Sequence, residues 1–131
     1  MSVEIRKVTK FDKVRFRGPG TLKITQGDVE SLTIHAPAYV MQHIESEVRD
    51  SELRLGFVSP RVVSLRVHQE VISYDLCMKD VRKMVLTGTG KIVVPDLDND
   101  VVTAEITGSG RIVMEHLTAD QFDVVIRGSG D

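Results

Sequence analysis

Three aspartates, Asp80, Asp100 and Asp120, recur at twenty-residue intervals, and a closer run, Asp96-x-Asp98-x-Asp100, sits at one of them. Carboxylates brought into register are the raw material of a cation site, and Asp-x-Asp-x-Asp begins like a calcium loop. The glycine such a loop needs next is Val101 here. On neighbouring strands successive carboxylates would stand about 5 Å apart, where two exposed charges repel by roughly 1 kcal/mol in water. Asp80, Asp100 and Asp120 are therefore only weak calcium candidates. The simpler expectation is that each aspartate hydrogen-bonds its own turn backbone and recurs because the turn recurs. Asp28 and Glu30 hold the positions that match Asp98 and Asp100 in an earlier segment.

Other constellations carry less. Gly-rich corners beside Lys91 and Arg111 could cradle a phosphate, but each leads into another strand rather than a helix N-terminus, and neither the Walker nor the Rossmann spacing is present. Gly108-Ser109-Gly110 lacks the spacing and the helix of a nucleophile elbow. The four histidines, His35, His43, His68 and His116, have no close metal-ligand spacing and read as lone surface or turn residues. Glu115 and His116 are adjacent on a strand, so they point to opposite faces and make a poor acid–base pair. No catalytic residue, cofactor or firm metal ligand is expected.

The elements that position these residues follow from glycine. Gly18-Pro19-Gly20, Gly88-Thr89-Gly90, Gly108-Ser109-Gly110 and Gly128-Ser129-Gly130 hold eight of the ten glycines, and the last three fall on a twenty-residue beat. Such a period is the mark of stacked repeats. Apolar residues alternate before each corner (Met84 and Leu86, Ala104 and Ile106, Val124 and Ile126) and after it (Ile92 and Val94, Ile112 and Met114). A period of two marks a strand with one buried face. Leu97 and Leu117 add a further inward residue, and Phe11 to Glu30 fits the same template with Val14, Phe16, Leu22 and Ile24. With no helical stretch between strands, twenty residues are expected to form one coil of a parallel β-solenoid, with Gly18, Gly20, Gly88, Gly90, Gly108, Gly110, Gly128 and Gly130 as structural corners. The outward columns then read Lys83, Thr103, Asp123 and Val85, Glu105, Val125. Residues 36–70 are irregular, with Tyr39 to Glu47 either helical turns or an extended link, a short strand at Leu53, Leu55 and Phe57, and a loop at Ser59-Pro60-Arg61. Ile72, Tyr74, Leu76 and Met78 alternate and lead into regular repeats over 81–131.

At 131 residues the chain is expected to form one domain, residues 1–131. A net charge of −2 with interspersed charges argues against nucleic acid, which calls for a basic stripe. Tryptophan is absent and aromatics are sparse, so stacking platforms are poorly supplied. One cysteine, Cys77, excludes an internal disulfide framework. Met1 to Lys10 has no continuous apolar stretch, so neither a signal peptide nor a membrane anchor is read there.

Three stretches carry a family resemblance. VTKFDKVRFRGPGTLKITQGDVESLTI (Val8 to Ile34), YVMQHIESEVRDSELRL (Tyr39 to Leu55) and ISYDLCMKDVRKMVLTGTGKI (Ile72 to Ile92), followed by GSG corners, resemble in order the head GIN domain family of putative auto-transporter adhesins. The likeness implies a right-handed, single-stranded parallel β-helix of bacterial origin, usually on exported or cell-surface proteins, with no established catalytic residues. It implies an envelope or secreted location, although this chain shows no export signal.

The resulting expectation is a non-catalytic, adhesin-like β-helix module with a structural or binding role. The alternatives are a carbohydrate-active β-helix enzyme or polysaccharide-binding domain, and an intracellular self-assembling scaffold. Fold analogy supplies no reaction by itself. The last strand, with Phe122, Val124 and Ile126, is expected to end the stack uncapped, and bare strand edges invite pairing. The expected partners are another copy through this end, or a cell-surface protein or glycan, without nucleic acid or a transmembrane segment.

Overall fold

A computed structural model describes residues 2–18, 20–57 and 72–128. The elements are β1 (Ser2–Arg6), β2 (Lys13–Arg17), β3 (Thr21–Gln26), β4 (Ser31–Ala36), one helical turn α1 (Ala38–Met41), β5 (Ile44–Arg49), β6 (Glu52–Phe57), β7 (Ser73–Met78), β8 (Lys83–Gly88), β9 (Lys91–Asp98), β10 (Val101–Gly108), β11 (Arg111–Thr118) and β12 (Gln121–Gly128). Alternation in the sequence explains the strands. Val14 and Phe16 in β2, Leu22 and Ile24 in β3, and Tyr74, Leu76 and Met78 in β7 are buried, with more exposed residues between them. Burying each such side chain contributes about 1.5–3 kcal/mol. Among the described residues no helix is long and apolar enough to cross a membrane.

The strands form two six-stranded sheets, ordered β1-β4-β7-β3-β9-β11 and β12-β10-β8-β2-β6-β5. Side chains of both sheets join one apolar cluster between them. Within part of this frame the glycine beat is a physical register. Met84, Ala104 and Val124 are successive parallel partners, as are Leu86, Ile106 and Ile126. Ile92 pairs with Ile112 and Leu97 with Leu117. β2 and β3 enter the same columns, with Val14 beside Met84, Phe16 beside Leu86 and Leu22 beside Ile92.

The expected parallel β-helix is nevertheless overturned. The architecture is a sandwich-like pair of mixed sheets, in which β1 with β4, β4 with β7 and β5 with β6 pair antiparallel. Strand order also departs from chain order, because β2 lies between β6 and β8, and β3 between β7 and β9. The reversals arise in the stretch without glycine corners. There Tyr39 to Glu47 splits into α1 and the start of β5, and the β5–β6 hairpin turns at Asp50 and Ser51, both with positive φ (53° and 64°). Two such residues match the twist of a tight hairpin. The loop expected at Ser59-Pro60-Arg61 lies outside the described residues, as do His68 and Gly130.

Candidate functional site

The corner glycines Gly18 and Gly20 lie between β2 and β3, Gly88 closes β8 with Gly90 between β8 and β9, Gly108 closes β10 with Gly110 between β10 and β11, and Gly128 closes β12. Their backbones stack, since Lys91 N–H donates to the Gly20 carbonyl at 3.0 Å and Arg111 N–H to the Gly90 carbonyl at 3.1 Å. At Gly108 the need for glycine is double: φ is +113°, and a Cβ would stand 2.7 Å from the Gly88 carbonyl oxygen. Positive φ recurs at Gly20, Gly88, Gly90, Gly108 and Gly128.

The opposite ends of the chain's short turns gather polar groups. Asp80, Asp98 and Asp100 line one depression of about 720 Å3 together with Lys13, Arg82 and Lys83, where Arg82 stands 3.5 Å from Asp12 and Lys83 3.9 Å from Glu105. Asp120 follows one step along, its N–H donating to the Asp100 carbonyl at 2.9 Å. Among the described residues no three histidine, cysteine, aspartate or glutamate side chains form a group able to hold a metal ion. An amide pair that sequence reasoning passed over ties this region. The Gln26 amide nitrogen reaches the Asp98 carbonyl (2.9 Å), the Lys79 carbonyl (3.0 Å) and Asn99 Oδ1 (2.9 Å), while its oxygen accepts from Asp98 N–H (2.8 Å). Asn99 Oδ1 also accepts from Val81 N–H at 3.0 Å. The only sequence signal was two amides near turn aspartates, and nothing in the spacing links residue 26 to residue 99.

The three described histidines lie on different elements or turns. His35 Nε2 stands 3.5 Å from Asp75 Oδ2, His43 is half-buried near α1, and His116 is exposed beside Asp96 on the neighbouring strand. Glu115 and His116 are both exposed on β11. Cys77 is partly buried on β7.

The two ends of the sandwich differ. At one end β1 and the β5–β6 hairpin close the sheets, with Val40, Met41 and Ile44 buried over the core. Arg6 fastens this end through Nη1 to the Ile44 carbonyl (2.6 Å) and Ser46 Oγ (3.1 Å), and through Nη2 to the Met41 carbonyl (3.2 Å). At the other end β11 and β12 are the outermost strands. Ala104 and Ile106 on β10 are 2 % exposed, yet Val124 and Ile126 in the same columns on β12 are 50 % and 46 % exposed. Phe122 is 39 % exposed on the same face. On the outward face Arg127 reaches Glu105 at 3.7 Å, and Gln121 donates to Asp123 at 2.9 Å.

A second polar feature lies on the outer face of the sheet that contains β2 and β6. Arg15, Arg17, Arg54 and Glu45 line a depression of about 540 Å3 over Leu55 and Gly56. Arg15 and Arg54 are direct cross-strand partners, and both lean on Glu52, at 3.2 and 3.4 Å. Like charges placed opposite one another cost stability, so a shared carboxylate is needed to hold them.

With this geometry in view, the chain belongs to the family described as "Putative auto-transporter adhesin, head GIN domain", whose match spans residues 10–131. No curated protein matches the chain. Among solved structures it is similar to a putative adhesin from Bacteroides fragilis, with TM-score 0.89 and 22 % identity, over 99 % of this chain and 60 % of that one. A putative lipid binding protein from Parabacteroides distasonis matches with TM-score 0.73 and 14 % identity, over 94 % of this chain and 59 % of that one. A putative cell adhesion protein from Clostridium sporogenes matches with TM-score 0.54 and 14 % identity, over 97 % of this chain and 99 % of that one. At these identities the likeness speaks for the fold. The chain spans about 60 % of the length of the first two structures.

Proposed function

We propose that this chain is a non-catalytic, adhesin-like module that attaches through the apolar side chains that β12 presents, Phe122, Val124 and Ile126. One contrast supports the reading: the apolar columns that are sealed on β8 and β10 stand open on β12. Contiguous exposed apolar side chains mark a surface that a partner can cover. Family membership points the same way. The test uses beads coated with the 131-residue chain, offered to immobilised copies of the same chain and to an array of bacterial surface glycans. Wild-type beads should be captured, and Val124→Lys, which sets a charge in the open column, should lose most of that capture while keeping its far-UV spectrum. Equal capture of both, or no capture of the wild type, would overturn the reading.

A second reading is favoured by the arginine-lined depression. Guanidinium groups recognise carboxylates in a planar, forked geometry, which suits an acidic polysaccharide. The probe is polygalacturonate, titrated calorimetrically. Binding should weaken with added salt and with Arg15→Ala or Arg54→Ala. Absence of binding to the wild type would remove this reading.

A further inference from the structure

We infer that the arginine-lined depression is a subsite for one hexuronate unit of an acidic polysaccharide, with Arg15 and Arg54 taking the carboxylate and Glu45 accepting from the ring hydroxyls. This rests on the second reading above and names the sugar unit that the site selects. Register sets the layout. Across the outer face of β2, β6 and β5 the rows of partners are Lys13, Glu52 and Arg49, then Arg15, Arg54 and Glu47, then Arg17, Gly56 and Glu45. In the middle row Glu47 is held by Arg49 at 2.7 Å, while Arg15 and Arg54 share a single oxygen, Glu52 Oε1. Both reach it through Nε. A contact through Nε leaves the outer Nη pair of each guanidinium outside it. Two N–H forks thus stand side by side, in the geometry that a carboxylate accepts.

The third row supplies the room. Gly56 has a φ of 138°, and a Cβ there would run into the Arg17 carbonyl, so the backbone reserves this position for glycine. With no side chain at residue 56, a gap separates Arg17 from Glu45 above a floor of Leu55 and Gly56. Those two residues stand two strands apart, about 10 Å, and Arg54 is a diagonal neighbour of Glu45, at about 7–8 Å. A pyranose ring with a carboxylate on one side and hydroxyls on the other spans such a gap, and a depression of about 540 Å3 accommodates it. Glu45 separates a uronate from other anions. A ring hydroxyl donates to its carboxylate, whereas a sulfate ester at the same place is repelled by it.

The test is calorimetric titration of the 131-residue chain with trigalacturonate, with its methyl ester and with a sulfated dextran trisaccharide. Wild type should bind trigalacturonate about tenfold or more tightly than either of the others, since each lacks one of the two matched contacts. Glu45→Ala should weaken trigalacturonate by about tenfold and erase its advantage over the sulfated trisaccharide. Glu45→Gln keeps an acceptor oxygen without the charge, so it should hold trigalacturonate better than Glu45→Ala while still losing discrimination against sulfate. Both variants should keep the wild-type far-UV spectrum. Equal affinity of wild type for the three ligands, or wild-type affinity and preference in both Glu45 variants, would overturn the subsite. If polygalacturonate binds and is lost in Arg15→Ala and Arg54→Ala while the Glu45 variants change nothing, the acidic-polysaccharide reading stands and the hexuronate subsite falls. Failure of wild type to bind polygalacturonate at all removes both.

Discussion

The ring of Phe16 on β2 meets the ring of Tyr74 on β7 edge to face across the core, with centroids 5.1 Å apart and planes at 75°. The contact joins the two sheets at the middle of the sandwich, where β2 and β7 lie in different layers. Among the described residues the Tyr74 hydroxyl is buried and accepts or donates no hydrogen bond.

Burial without a partner has a thermodynamic sign. Phe16→Ala should cost about 3–5 kcal/mol in urea unfolding, as a large ring leaves a packed core. Tyr74→Phe removes an unsatisfied hydroxyl and should leave stability unchanged or raise it by about 1 kcal/mol. Burial also pushes the Tyr74 phenol well above its usual range. In the unfolded chain it ionises at about pH 10, so the stability present below that pH falls as the pH rises further. Tyr74→Phe should flatten this alkaline loss, read as melting temperature against pH.

The corner at Gly108 makes a second expectation. With φ at +113° and the Gly88 carbonyl in the way of any Cβ, Gly108→Ala should destabilise by about 1–3 kcal/mol. Gly27 has open space around a would-be Cβ and no positive φ, so Gly27→Ala serves as the control and should change the unfolding midpoint little.

The Gln26 amide lies at the junction of three turns. Gln26→Ala should lower stability by about 1–2 kcal/mol. Gln26→Glu should not rescue it, because a carboxylate cannot donate to the Asp98 and Lys79 carbonyls. Hydrogen exchange of the Asp98 amide should quicken in Gln26→Ala, which loses the oxygen that accepts from it, and less in Gln26→Glu, which keeps an acceptor; wild-type exchange retained there in Gln26→Ala would count against this role.

Glu47 is held below the usual carboxylate range, first by its hydrogen bond from Arg49 at 2.7 Å and then by that cation's charge. Its contribution is present above the unfolded pKa and is lost as pH falls through the lowered folded value. In an NMR titration Arg49→Ala should move the Glu47 midpoint back up toward the ordinary carboxylate value.

How much of this was legible beforehand depends on distance along the chain. The columns through Leu86, Ile106 and Ile126 could be read because a fixed interval and a period of two are local signals. The mixed topology could not. The hairpin at Asp50 and Ser51 uses two left-handed residues without the glycine that would announce it. The place of β2 beside β8 rather than at the start of a stack is a choice between strands far apart in sequence, which no window of residues records. The same holds for the site. The exposed apolar face of β12 follows from alternation, whereas the Arg15–Arg54 pairing and the Gln26–Asn99 bond require knowing which strands are neighbours.

The position of β2 and β3 also governs how the molecule can be made. Each lies between partners synthesised much later than itself: β2 between β6 and β8, β3 between β7 and β9. The amino-terminal half must therefore wait, incompletely zipped, for the carboxy-terminal half to arrive. Severing the polypeptide between Lys79 and Asp80 would then produce two pieces that are each poorly ordered alone and regain native structure only on being recombined.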